Sequence, residues 1–128
     1  IATTLFFSCS KEERIINQVK KKLEGTWRFD DGFSGENGGT FYTFFNCNDN
    51  TCPITVSFQY FDSTGNITFD SSITQNYSIY HTESFEILDF QYLGTSHQSE
   101  IVTLNNTKLI LSNVGFHPNG GVSSFTKQ

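Results

Sequence analysis

Beyond Gly25 the chain shows no helical period. Runs rich in Phe, Tyr, Ile, Val and Thr alternate instead with clusters of Gly, Asn, Asp and Ser. β-Branched and aromatic side chains suit a pleated, half-buried surface, and the small polar clusters suit turns. The runs read as strands at Thr26–Asp30, Thr40–Asn46, Pro53–Asp62, Asn66–Ser71, Ile73–His81, Phe85–Leu93, Glu100–Leu104, Lys108–Asn113 and Val122–Lys127. Within Pro53–Asp62, Ile54, Val56, Phe58 and Tyr60 share one face. Ser63–Asn66 and Asn105–Asn106 read as hairpin turns. Phe85–Leu93 changes face near Asp89, which predicts a bulge. Gly94–Gln98 and Val114–Gly121 read as loops. Eight or nine short strands with no helix between them predict an all-β fold. Its form is a small antiparallel up-and-down barrel or, alternatively, an open β-sandwich.

Ahead of the strands, Ile15, Ile16, Val19 and Leu23 form one apolar stripe, which predicts a short helix over residues 11–23. Ser10 suits its N-cap with Glu13 three residues on, and Gly25 suits its end. A chain of 128 residues makes one domain. Its 14 Phe, five Tyr and one Trp exclude a disordered chain. Net charge is −5 and unevenly placed. Lys11, Arg14, Lys20, Lys21, Lys22 and Arg28 face only Glu12, Glu13 and Glu24 up to residue 28, a balance of +3. From Asp30 onward ten acids face Lys108 and Lys127, a balance of −8. An acidic domain repels phosphates, so no nucleic-acid partner is expected. The basic stretch reads as a solvated helix face, or as one that meets an anionic lipid surface.

Three cysteines are present. Cys47 and Cys52 flank a turn-rich Asn48-Asp49-Asn50-Thr51, and a disulfide there would pin the turn in an oxidising compartment. The competing reading is three thiols in a reducing one. Cys9 is the odd cysteine. It follows the uncharged stretch Ile1-Ala2-Thr3-Thr4-Leu5-Phe6-Phe7-Ser8, which is too short to span a bilayer and looks like the tail of a signal-peptide apolar region. Phe7-Ser8-Cys9 resembles the lipobox of bacterial lipoproteins in the form common in Bacteroidetes. The resemblance implies lipid on Cys9 and loss of residues 1–8. It also implies anchorage in the outer membrane, with the cell surface as the expected face and the periplasmic face as the alternative. Ser10-Lys11-Glu12-Glu13 is similar to the acidic export signal of that group, although acids also favour any helix N-terminus. The expected organisation is a residual signal peptide over 1–8, a lipid-anchored helix and linker over 9–24, and a barrel domain over 25–128.

Leu23-Glu24-Gly25-Thr26-Trp27-Arg28-Phe29 resembles the Gly-x-Trp opening of the first strand in lipocalins and bacterial lipocalin-like lipoproteins. There the Trp closes one end of the barrel near a basic side chain of the last strand. The resemblance assigns that closing role to Gly25 and Trp27. The last strand here has no Arg, and Lys127 stands where the basic partner would be. Thr107-Lys108-Leu109-Ile110-Leu111 also looks like a late strand of such domains.

No catalytic pattern emerges. His81, His97 and His117 share no short spacing with Cys or with each other, so no zinc motif exists. Asp30 and Asp31 are adjacent and would point to opposite faces of a strand, which excludes a paired acid and base. Asn46, Asn48, Asp49 and Asn50 offer oxygens to calcium but match no known loop, and His117–Gly121 reads as a turn. No enzyme, metal or cofactor is expected. Phe41, Phe45, Phe58, Tyr60, Phe69 and Tyr77 are candidates for lining a cavity, against the simpler reading that they fill the core. The expected function is a non-enzymatic binding or accessory module on the outer membrane, holding a small apolar ligand. Its alternatives are a structural subunit docked on an outer-membrane protein complex and a surface glycan-binding or adhesin module.

Overall fold

The computed structural model describes residues 11–30, 38–48, 51–82, 84–92, 94–114 and 121–128. Helix α1 spans Lys11–Leu23. Its acids Glu12 and Glu13 lie in the first turn and Lys20, Lys21 and Lys22 in the last, each complementing the helix dipole. Ile16 and Val19 pack against the core and Leu23 is fully buried in it, as the apolar stripe predicts. Eight strands follow: β1 (Gly25–Phe29), β2 (Gly38–Phe44), β3 (Pro53–Phe61), β4 (Ile67–His81), β5 (Glu86–Tyr92), β6 (Thr95–Leu104), β7 (Lys108–Val114) and β8 (Val122–Lys127). Each pairs antiparallel with its neighbour, and β8 returns to β1, so the sheet closes as an up-and-down barrel. The β8–β1 pairing decides against the open sandwich.

Three sequence expectations change. Asn66–Ser71 and Ile73–His81 are one continuous strand, β4. The polar Ser71–Ser72 pair does not break it, because Ile67–Asn76 lies along β3 with both faces largely solvated, where polar residues cost nothing. Residues 95–98 belong to β6 rather than to a loop. The bulge expected at Asp89 is absent: Leu88 and Phe90 both face the core, with Asp89 between them pointing out. Register shifts occur instead at Tyr60/Phe61 and between Ile101 and Thr103. The Ser10 cap, Asp31, Asp49, Asn50 and the His117 turn lie outside the described residues.

One end of the barrel is sealed. Trp27 has no exposed surface, and its indole N–H donates to the Leu23 carbonyl at 2.8 Å. This bond ties the plug to the last turn of α1. The Lys127 ammonium lies 5.2 Å from the ring centroid. Gly25 joins helix to strand at φ 123°, and a Cβ there would stand 2.9 Å from the Lys127 side chain. Glycine alone fits that backbone without strain. Across the seam, the Asp30 carboxylate accepts from Lys108 Nζ at 2.6 Å, from Ser124 Oγ at 2.6 Å and from Thr126 Oγ1. These bonds clasp the first strand's end to the last two strands. Burial alone would raise the Asp30 carboxyl, but the three donors outweigh it and hold it at about 2.

Candidate ligand-binding cavity

Above the sealed end the barrel is hollow. A cavity of about 260 Å³ is walled mainly by the rings of Phe29, Tyr42, Phe58, Phe90, Tyr92 and Phe125, with His97 among them. The pleat explains the set: Tyr42 and Phe44 alternate inward along β2, Val56 and Phe58 along β3, Phe90 and Tyr92 along β5. Thr40 and Ser123 add hydroxyls, and among the described residues no wall of the cavity carries an acid, Lys or Arg.

The rings brace one another. Tyr42 packs 4.7 Å from Phe125 and meets the Phe90 edge at 5.7 Å. The His97 imidazole stacks on Phe90 at 5.5 Å, nearly parallel, and meets Tyr92 edge-on at 5.7 Å. Burial lowers the His97 pKa, which favours the neutral ring. Burial likewise raises the Tyr42 phenol to about 12, with Tyr92 adding to it, so Tyr42 keeps its proton. Yet among the described residues nothing hydrogen-bonds the Tyr42 hydroxyl. Tyr42 is partly buried and lines the cavity, where its phenol offers a donor to a ligand.

The six rings expected to line a cavity separate. Phe58 alone is in its wall. Tyr77 is buried low in the core, where its ring meets Phe44 at 5.3 Å and its hydroxyl lies 3.7 Å from Cys47 Sγ. Phe41 is on the outer face, under the Arg28 guanidinium at 5.7 Å, because Tyr42 takes the inward position. Phe45 lies past the end of β2 and is 46% exposed. Tyr60 and Phe69 share the inward parity but sit further along the β3–β4 ribbon than the cavity, against each other at 5.5 Å and in solvent. Tyr42, Phe90, Tyr92 and His97 escaped the sequence reading. For the three rings the signal was the two-residue alternation with Phe44 and Leu88, hidden by rings at both parities in Phe41–Phe45 and by the supposed face change at Asp89.

Cys47 and Cys52 are joined by a disulfide, which closes a turn that Asn48 and Thr51 already pin through two backbone bonds of 2.8 Å. Cys9 lies outside the described residues. His81 pairs with Glu86 at 3.1 Å beside the β4–β5 turn, away from the cavity. No cluster of three His, Cys, Asp or Glu able to hold a metal occurs among the described residues.

No family model matches the chain. No curated protein matches it in sequence. Two solved structures are similar in outline. The wild-type fluorescent protein UnaG is 12% identical, with TM-score 0.45 over 84% of this chain and 98% of its own. A de novo designed fluorescence-activating β-barrel is 15% identical, with TM-score 0.47 over 86% of this chain and 97% of its own. The likeness is one of fold alone.

Proposed function

We propose that the protein is a non-enzymatic, lipid-anchored outer-membrane module whose barrel binds a small, flat, uncharged ligand. The observation that carries the binding reading is a cavity walled by aromatic rings, with the Tyr42 phenol among them. Ring faces favour a conjugated apolar body, and a phenol that keeps its proton favours a carbonyl or ether acceptor on it. A charged ligand would lose its hydration and meet no countercharge among the described walls. The cavity is at the small end of ligand sites, which points to a compact molecule. The lipobox resemblance at Cys9 supports the anchor, and the pairing of Cys47 with Cys52 leaves Cys9 as the odd cysteine. Stable anchorage takes more than one acyl chain, as lipobox processing supplies.

A neutral naphthyl ketone dye tests the cavity, because it is flat, carries one carbonyl acceptor and shifts its emission when desolvated. It is expected to bind the parent with blue-shifted emission. Tyr42→Phe, which removes only the hydroxyl, should weaken binding about two- to tenfold, the worth of one hydrogen bond. Phe58→Trp, which fills the space, should abolish it. Dye binding insensitive to both variants would place the site elsewhere. The anchor has its own test in the intact mass of membrane-extracted protein: acyl chains on Cys9 with residues 1–8 removed are expected, and an unmodified Cys9 still carrying them overturns it.

A further inference from the structure

Strand β4 outruns its neighbour on one side. Tyr77–His81 pair with β5, whereas among the described residues Ile67–Asn76 pair with β3 alone. Among the described residues nothing pairs with the other edge of Ile67–Asn76, which leaves its backbone donors and acceptors as a template for a further strand. Natural proteins blunt such edges with proline, lysine or a covering segment. This one has no proline or lysine, and Asp70 is its sole charge. It also stands open to solvent, with Ile67 55% and Phe69 51% exposed.

We propose that this edge pairs antiparallel with the same edge of a second copy, about a two-fold axis at Ser71. Among the three central registers the side chains favour this one. With the axis normal to the sheet, opposed residues share a face, so the axis passes through a residue. An axis at Asp70 sets Asp70 against the partner's Asp70, and like charges directly opposed destabilise a pair. An axis at Ser72 sets Phe69 against the partner's Gln75. An axis at Ser71 sets Phe69 against the partner's Ile73, Thr68 against the partner's Thr74 and Asp70 against the partner's Ser72, each contact repeated by symmetry. Apolar then meets apolar, threonine meets threonine, and no charge faces its like. One strand pair buries less than the roughly 1,200 Å² of a standard interface, so the dimer is weak, with dissociation in the micromolar range or above. The pairing does not depend on what fills the cavity.

The full chain carrying Cys9→Ser, which leaves only the disulfide-bonded cysteines, tests the pairing by sedimentation from about 10 to 500 µM, the range a small interface requires. A monomer–dimer equilibrium is expected, and Ser71→Lys should abolish it by setting two lysines face to face at an exposed position. Ser71→Cys should cross-link under mild oxidation, because opposed α-carbons in an antiparallel pair are about 4.5–5.5 Å apart, within disulfide reach. Ser72→Cys should cross-link at least tenfold less, since its two copies stand about 8 Å apart in this register. A monomer throughout the range, a dimer that Ser71→Lys leaves intact, or equal cross-linking at both positions overturns the proposal.

Discussion

Replacing Trp27 with alanine removes the plug at the sealed end. The side chain has no exposed surface and is the bulkiest of the fully buried ones. Truncating a buried ring of this size costs about 3–5 kcal/mol, the lost transfer energy plus the cavity left behind. The bond from Nε1 to the Leu23 carbonyl adds about 1 kcal/mol, and its loss uncouples α1 from β1. The sum is a large share of the roughly 5–15 kcal/mol that holds a domain of this size together. With a urea dependence of about 2 kcal/mol/M, the unfolding midpoint should fall by about 2–3 M. Far-UV circular dichroism is the readout, because the variant has no tryptophan to report. Trp27→Phe keeps a ring but not the N–H, and should cost about 1–2 kcal/mol, most of it the hydrogen bond. If both variants unfold within about 0.5 kcal/mol of the parent, the behaviour of an exposed site, Trp27 does not plug the barrel and the account of the sealed end fails.

Two further outcomes follow from the same contacts. The Asp30 carboxyl sits at about 2 in the folded chain against an ordinary 3.8, so the clasp is fully present above about pH 4 and is lost as pH falls towards 2. Discounted for partial exposure it is worth about 1 kcal/mol, and Asp30→Asn should lower stability by that amount at pH 7 while flattening its decline between pH 4 and 2 in acid unfolding curves. Cys47→Ser should cost about 2 kcal/mol or less by denaturant melt, because the closed loop is short and backbone bonds already pin the turn; peptide mapping without reductant should find Cys47 and Cys52 linked.

The barrel was legible in the sequence because two periods are clean. Ile16, Val19 and Leu23 repeat as a helix face does, and Ile54, Val56 and Phe58 alternate as a strand buried on one side does. Parity along a strand tells inside from outside, but it does not tell height. Phe58 and Tyr60 share a face two residues apart, yet one lines the cavity and the other stands in solvent. Where rings occupy consecutive positions, as in Phe41-Tyr42 and Phe44-Phe45, parity itself is undecidable, and the strand pairing decides that Tyr42 and Phe44 point in. His97 was hidden for a different reason. A cavity wall admits a polar residue on an inward position, which breaks the apolar alternation by which a strand is read and made Gly94–Gln98 resemble a loop.

Whether the aromatic cavity holds a ligand is tested most directly by what the native protein carries. Chain purified from its native source would be unfolded, and the small molecules released would be identified and counted by mass spectrometry beside any co-purifying protein. An uncharged, conjugated molecule with an acceptor oxygen is expected, near one per chain and absent from Phe58→Trp prepared in the same way. Release of no such molecule from the parent, with a membrane protein present in equal amount instead, would contradict it and assign the barrel to docking.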